Sequence, residues 1–175
     1  MPAATPSLQL FLPCAAGVEA WLADEVQRIT GTAAETLRGG VRVSAGWEAM
    51  LRLNLQSRLA QRVLVQLEHR PYRGEDDIYA AAAAVAWEDW FTPRESFKIE
   101  LTSHQSPLKS LNFAALRIKD AVADRFRERG GVRPDVDVQR PAVRVFAHLA
   151  ADTVTLYKAL GGGWPPVDVR NAGRN

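Results

Sequence analysis

Hydrophobic residues in the first sixty positions switch between strand spacing and helix spacing. A short apolar run at residues 8–12 predicts a strand, and Pro13 ends it because proline cannot donate to a β-ladder. The next apolar positions recur at helical spacing and stop before Gly31, which suits a helix C-cap. They are Val18, Trp21, Leu22, Val26 and Ile29.

Three further elements follow in this part of the chain. The pair Gly39-Gly40 predicts a turn or bulge, and residues 41–43 alternate as a strand does. A second amphipathic helix is marked by Trp47, Met50, Leu51, Leu55 and Leu59. Residues 63–67 predict another strand, so the pattern gives the order β-α-β-α-β.

Beyond residue 69 the pattern changes to longer helices. Residues 70–74 suggest a connector, and Asp76 or Asp77 is suited to cap a helix that runs through an alanine tract toward Trp87 and Trp90. A strand is predicted at residues 97–101, a long helix at 108–130, and a hairpin of two strands at 143–149 and 153–160. The long helix has an apolar stripe of Leu111, Ala115, Ile118, Val122 and Phe126. Short strands mixed with helices predict the α+β fold class.

Composition indicates more about the location of the protein in the cell than about its function. The chain has 175 residues, a net charge of +2 and one cysteine, Cys14, so it cannot form an internal disulfide. It has no apolar run near the roughly 20 residues that span a bilayer, and its first six residues contain no basic residue. We therefore expect a cytoplasmic protein without a membrane segment.

Motifs for bound nucleotides, metals or catalysis are absent from the sequence. It has no G-x-x-x-x-G-K-[ST] loop, and the glycines at 161–163 precede Trp164-Pro165-Pro166, which favours a linker. His69, His104 and His148 have no metal-ligand spacing, so no metal site is expected. Catalysis by this chain alone, such as acyl-phosphate hydrolysis, would need an arginine–asparagine pair at one site, and the sequence places none.

The most informative charges lie between residues 109 and 133. This segment has seven basic and three acidic residues, a local balance of +4. Arg117, Lys119 and Arg127 fall outside the apolar stripe, where guanidinium and ammonium groups can meet phosphate, whereas Arg125 and Arg129 fall nearer to it. The alternative is an ordinary charged helix face, with pairs such as Arg117–Asp120 and Asp124–Arg127.

Six short motifs follow one another along the chain. The first three lie before residue 64. They are the G-x-E-x-x-L-x-x-E-L helix start at Gly17, Glu19, Leu22, Glu25 and Val26, with valine in place of the last leucine, the GGV at Gly39-Gly40-Val41, and the S-R-x-A-x-R-[IV] passage of Ser57, Arg58, Ala60, Arg62 and Val63.

The other three motifs lie in the second part of the chain. They are Asp77-Ile78-Tyr79 followed by Trp87, the passage Asn112 to Asp124 with its Lys119-Asp120-Ala121-Val122, and Arg133-Pro134-Asp135-Val136-Asp137. Together the six cover about residues 8–161. In this order they resemble the THUMP-containing RNA guanine-N2 methyltransferases, most closely the bacterial enzymes that modify large-subunit ribosomal RNA.

The resemblance implies a ferredoxin-like subdomain at residues 1–69, a THUMP RNA-binding domain at 70–161, and a linker at 162–175 toward a methyltransferase domain. That domain, with its S-adenosylmethionine loop and N-P-P-Y-type motif, is not found in this sequence. The chain alone is then no enzyme and binds no cofactor, whereas the parent protein is an S-adenosylmethionine-dependent RNA methyltransferase. Its expected partners are large-subunit ribosomal RNA and the methyltransferase domain.

Charge and resemblance together place RNA contacts on the long helix and its flanks. The predicted RNA-binding residues are Lys109, Asn112, Arg117, Lys119, Arg127, Arg129 and Arg133. Two alternatives stay open: the THUMP module of another RNA-modifying enzyme, a thiouridine synthase or deaminase, and a protein-interaction scaffold whose basic helix faces another domain.

Overall fold

The first half of the chain forms a β-α-β-β-α-β unit in a computed structural model that describes residues 7–159. Its elements are β1 (Leu8–Pro13), α1 (Glu19–Thr30), β2 (Glu35–Leu37), β3 (Gly40–Ala45), α2 (Trp47–Gln56) and β4 (Leu64–Pro71). The strands lie in the order β2-β3-β1-β4 and are antiparallel, which is the split β-α-β arrangement of ferredoxin-like folds. The sequence pattern missed only the short edge strand β2.

The second half adds two helices and three strands. They are α3 (Glu75–Ala84), a 3-10 turn at Trp87–Asp89, β5 (Phe97–Ser103), α4 (Leu111–Gly130), β6 (Val143–Leu149) and β7 (Thr153–Ala159). Strands β5 and β6 are parallel and are connected through α4, whereas β6 and β7 form the predicted hairpin. These elements confirm the α+β class.

Strand β4 belongs to both halves and makes them one sheet of seven strands, in the order β2-β3-β1-β4-β7-β6-β5. It pairs with β1 at Val65 and Leu64, and with β7 from Leu64 to Pro71 with a bulge between Gln66 and Glu68. The predicted connector at residues 70–74 is therefore wrong in its first two positions, because Arg70 and Pro71 continue the strand.

The helices cover one face of this sheet, over two hydrophobic clusters. Leu10, Val43 and Val65 belong to the cluster under α1 and α2, and Val145 and Leu156 to the cluster under α3 and α4. Leu67 and Trp90 pack against both clusters, so the two cores are in contact. The alternate strand residues point to the opposite face, which carries no helix among the described residues.

The predicted apolar stripes are wider than the buried surfaces. Trp21 is 67 %, Leu51 56 % and Leu55 84 % exposed, whereas Leu53, outside the predicted stripe, is fully buried. A helix lying on a sheet contacts it along a narrow arc, so apolar residues at the margins stay in solvent. No helix within residues 7–159 is long and apolar enough to cross a membrane.

Helix α4 begins three residues later than expected. Its N-cap is Ser110, whose side-chain oxygen accepts a hydrogen bond from the backbone N–H of Phe113. Leu111, at the first helical position, is therefore 41 % exposed, whereas Ile118, Val122 and Phe126 are buried as predicted.

Candidate nucleic-acid interface

The predicted RNA-binding residues lie along α4 and its two flanks, but the fold does not leave them as a free cationic surface. Lys109 and Asn112 are exposed at the N-terminal end of the helix. The other five each have a carboxylate oxygen within 4.0 Å. The pairs are Arg117–Asp76 at 2.9 Å, Lys119–Asp120 at 3.4 Å, Arg127–Asp124 at 2.7 Å, Arg129–Glu88 at 3.4 Å and Arg133–Asp120 at 4.0 Å.

The partner of Arg117 differs from the pair that helical spacing suggests. Its guanidinium binds Asp76 of α3 rather than Asp120, and it lies 4.5 Å from the centroid of the Tyr79 ring. The Asp76 side chain is 98 % exposed, so this pair is weak and a phosphate can compete with it. The suggested pair of Asp124 and Arg127 is present.

The neighbouring elements remove the positive balance of residues 109–133. Five acidic residues lie on the first turn of α3 and on the 3-10 turn, both of which pack against α4. They are Glu75, Asp76, Asp77, Glu88 and Asp89. Adding them to a segment of seven cations and three carboxylates changes the local balance from +4 to −1. The helix face is a mixed-charge surface.

One cation of α4 is a structural residue. The Arg125 guanidinium donates to both carboxylate oxygens of Glu88, at 2.9 and 2.7 Å, and to the carbonyl of Ala83 at 3.1 Å. The hydrogen bonds from Arg125 lower the pKa of Glu88 from 4.5 to about 2. They outweigh the partial burial of this carboxylate, which by itself raises the pKa. These hydrogen bonds hold α4 to the last turn of α3 and to the 3-10 turn.

A second surface lies on the open face of the sheet. A groove of about 600 Å³ crosses the line where the two halves meet. Phe11 of β1 and Leu64 of β4 form one side of its floor, and Phe146 of β6 and Tyr157 of β7 form the other. The groove therefore exists only because β4 and β7 pair.

Aromatic rings and guanidinium groups lie together in this groove. The rings of Phe11 and Tyr157 are 5.9 Å apart, and Arg62 lies over the ring of Phe146 at 4.7 Å from its centroid. Arg38 and Arg42 stand at the rim beside Phe11. Stacking platforms next to cations are the combination that single-stranded nucleic acids require.

The open face around the groove is positive. It carries Arg38, Arg42, Arg62, Lys98 and Arg144 against Glu35 and Glu100, a balance of +3. Glu100 has three of these cations within 4.0 Å, and Arg42 is paired with Glu35 at 2.6 Å. Among the salt bridges of residues 7–159, none involves the guanidinium of Arg38.

Glu19 fixes the rim loop that carries Arg38. Its carboxylate accepts hydrogen bonds from the backbone N–H of Gly17 at 2.7 Å and of Gly39 at 3.1 Å. The pKa of Glu19 is lowered first by a hydrogen bond from its own backbone N–H and then by those from Gly39 and Gly17. Gly39 has a φ of +80°, which favours glycine, and a side chain on Gly40 would collide with the Leu12 carbonyl and the Phe11 ring. The G-x-E and GGV motifs are therefore parts of one structural unit, which the Glu19 carboxylate connects through its hydrogen bonds from Gly17 and Gly39.

Glu25 fixes the opposite rim loop, which carries Arg62. This buried carboxylate accepts from the Ser57 hydroxyl at 2.6 Å, from Arg58 N–H at 3.0 Å and from Leu59 N–H at 3.3 Å. Burial raises the pKa of Glu25, but the three hydrogen bonds outweigh it and the net shift is downward. The hydrogen bond from Gln61 N–H to the Pro13 carbonyl then brings the loop back to β1.

Imidazole and hydroxyl groups alternate at one end of the open face. His69 is hydrogen-bonded to Thr155 at 2.8 Å, and His148 to Thr102 at 3.0 Å. Burial, followed by the nearby His104, lowers the pKa of His148. No group of three or more potential ligands suited to a metal ion occurs within residues 7–159.

Comparison with known sequences finds a matching family model for each half of the chain. The THUMP domain model matches residues 72–158, and the RlmL ferredoxin-like domain model matches residues 9–64. The two models together match most of the chain, which therefore belongs to the family that combines an RlmL ferredoxin-like domain with a THUMP domain. The expected architecture, a ferredoxin-like domain followed by a THUMP domain, is thereby confirmed.

Relatives of this THUMP chain carry the name ribosomal RNA large subunit methyltransferase K/L. The protein of Syntrophotalea carbinolica is 37 % identical over 155 residues, 89 % of this chain and 22 % of its own length. That of Pseudomonas aeruginosa is 38 % identical over 154 residues, covering 88 % and 21 %. The chain therefore spans about a fifth of the length of these relatives.

Solved structures share the fold. A Listeria monocytogenes protein described as a predicted N6-adenine-specific DNA methylase superposes with a TM-score of 0.78 at 25 % identity, over 90 % of this chain and 41 % of its own. The putative methyltransferase SMU.472, complexed with SAH, gives 0.77 at 20 % identity, over 89 % and 42 %, which shows the fold alone.

The groove lies between the matched domains, and sequence reasoning missed it. The ferredoxin-like domain supplies Phe11 and Arg38, the THUMP domain supplies Phe146 and Tyr157, and Arg62 lies at the end of the first matched range. The signal was an aromatic residue at the outward position of several strands. It could not be interpreted without knowing that β4 pairs with β7.

Proposed function

We propose that this chain is the RNA-binding region of an S-adenosylmethionine-dependent ribosomal RNA (guanine-N2) methyltransferase. It binds large-subunit ribosomal RNA and presents it to a methyltransferase domain that lies outside the chain. The observation that carries this proposal is the fusion of the two matched domains into one sheet, with cations and aromatic rings of both on one open face. The relatives' name supplies the class of RNA.

The cofactor is assigned to the domain outside the chain. Within residues 7–159, the parallel strand-to-helix connection from β5 to α4 contains no glycine, whereas loops that hold nucleotide cofactors use glycine to bring backbone N–H groups close to the ligand. The described residues thus do not fit S-adenosylmethionine. The domain bounds at residues 69, 70 and 161 stay predictions, and the linker at 162–175 lies outside the described residues.

Salt-dependent binding tests the proposal. The 175-residue chain is titrated into fluorescently labelled fragments of large-subunit ribosomal RNA at about 50 mM and about 200 mM salt. Three to five phosphate contacts on single-stranded RNA should weaken binding by roughly 20- to 100-fold between these concentrations. Absent binding, or binding that does not change with salt, would refute the proposal.

The seven predicted contacts on and beside α4 stay a prediction. We rank them second to the open face because the local charge balance around α4 is −1, whereas that of the open face is +3. A pair of neutralising substitutions, Arg117→Gln with Arg127→Gln, tests the helix directly and serves as a comparison below.

A further inference from the structure

We infer that the groove on the open face is a binding site for unpaired RNA nucleotides, with bases against its aromatic floor and phosphates against its arginine rim. The inference rests on the proposed function and deepens it, since it names which surface binds RNA and which form of RNA it takes.

Size and shape favour a small part of a flexible strand. The volume of about 600 Å³ lies within the range of roughly 300–1,000 Å³ typical of small-ligand sites. A duplex presents its bases edge-on and its backbone as a convex surface, so only unpaired nucleotides can insert a base into such a groove. The groove opens to solvent along the sheet, which leaves room for the strand to enter and to leave.

The floor provides flat apolar surfaces that are already ordered. Phe11 packs on the backbone of Gly40, and its ring lies 5.9 Å from that of Tyr157. Phe146 carries the Arg62 guanidinium on its face, and the Arg62 side chain remains 41 % exposed. A base can therefore stack on the outer side of that guanidinium without displacing it.

The rim provides cations at both ends of the floor. Arg38 and Arg62 stand on loops that two buried or half-buried carboxylates, Glu19 and Glu25, hold through backbone hydrogen bonds. These bonds fix the loop backbone from which each arginine side chain extends, so little backbone conformational entropy is lost when RNA binds. A polyanion is the occupant that this positive rim complements.

The experiment compares three charge-matched double variants of the full chain. The groove pair is Arg38→Gln with Arg62→Gln, the α4 pair is Arg117→Gln with Arg127→Gln, and the control pair is Arg28→Gln with Arg52→Gln on the helices of the covered face. Each removes two positive charges. The probes are an unstructured oligonucleotide of about ten nucleotides and a blunt RNA duplex with the same number of phosphates, and circular dichroism and urea midpoints check that each variant is folded.

We expect the groove pair to weaken single-strand binding by about tenfold and to reduce the salt slope by about 1.4, since each lost phosphate contact contributes about 0.7. The α4 pair and the control pair should each change the affinity by less than about twofold. The duplex should bind more weakly than the single strand and respond alike to all three pairs.

A fourth variant, Phe146→Leu, separates stacking from charge. Leucine keeps an apolar side chain on β6 but removes the flat ring, so single-strand affinity should fall roughly 5- to 100-fold with the salt slope unchanged. Val136→Leu, at an exposed position away from the groove, is the matched control.

The two proposals fail separately. If the unaltered chain binds no RNA, the proposed function fails. If it binds RNA but the groove pair and Phe146→Leu leave the affinity intact, or if the α4 pair has the larger effect, the groove assignment is overturned while the function stands. Equal losses from all three charge pairs, or tighter binding of the duplex, would also overturn it.

Discussion

The guanidinium of Arg62 lies 4.7 Å from the ring centroid of Phe146, and this contact joins the loop before β4 to strand β6. It crosses the boundary between the two matched domains. Arg117 makes a similar contact with Tyr79, at 4.5 Å, but both of these residues lie in the THUMP domain. The two pairs therefore allow an interdomain contact to be compared with an intradomain one.

A double-mutant cycle measures the interdomain contact. Arg62→Ala, Phe146→Ala and the double variant should show a coupling of about 0.5–1 kcal/mol in the free energy of unfolding, because a partly exposed cation–π pair contributes that much. Urea denaturation provides the values. The Arg117 and Tyr79 cycle should give a similar coupling, and a value near zero for Arg62 and Phe146 alone would contradict the contact.

Gly40→Ala should destabilise the protein by about 1–3 kcal/mol, because the added Cβ would meet the Leu12 carbonyl and lie 2.8 Å from Cζ of Phe11. Thermal or urea unfolding measures the change. Gly130→Ala is the control, since that position in α4 has open space around it and alanine favours helix. Equal stabilities of the two variants would refute the close packing of Phe11 on Gly40.

Glu25→Gln should lower the free energy of unfolding by about 2 kcal/mol or more, because hydrogen bonds to a charged acceptor typically contribute about 1.5–3 kcal/mol. Hydrogen exchange gives the local readout: the amides of Arg58 and Leu59, which donate to Glu25, should exchange faster. Asp24→Asn, at the exposed neighbouring position, should leave both amides protected. Unchanged protection in Glu25→Gln would contradict the anchoring role.

Acid should remove the stability that the Glu88–Arg125 fork provides. Because the folded pKa of Glu88 is lowered from 4.5 to about 2, its contribution is fully present above the unfolded pKa and is lost as pH falls toward the folded value. Urea unfolding from pH 7 to about pH 3 should show a smaller decline for Glu88→Gln than for the unaltered chain. Glu48→Gln, at a side chain that is 88 % exposed, should decline as the unaltered chain does. Identical profiles for all three would argue against the pKa shift.

Periodicity predicts the elements of this protein well because each spacing follows from local geometry. The alternation at β6 and the stripe through Ile118, Val122 and Phe126 are both present in the structure. The exposure of Trp21 and Leu55 could not be predicted in this way, since it depends on which arc of each helix touches the sheet.

The prediction of charge likewise succeeds for residues close together in the sequence and fails for partners that are distant in it. The count of charges between residues 109 and 133 is correct, but Asp76 and Glu88, which pair with Arg117 and Arg125, come from elements about forty positions earlier. Phe11, Phe146 and Tyr157 likewise meet only through the pairing of β1, β4, β7 and β6. A site built from residues of distant strands cannot be located from the sequence pattern until the strand pairing is known.

Strand β4 has a mechanical consequence. It pairs with β1 on one side and with β7 on the other, so the two domains are coupled by backbone hydrogen bonds rather than by a tether, and bending between them would require breaking those bonds. The groove between Phe11 and Phe146 therefore keeps a constant width. In the binding mode we propose, the RNA strand would adapt to a groove of fixed shape, and no closing motion of the protein would be needed.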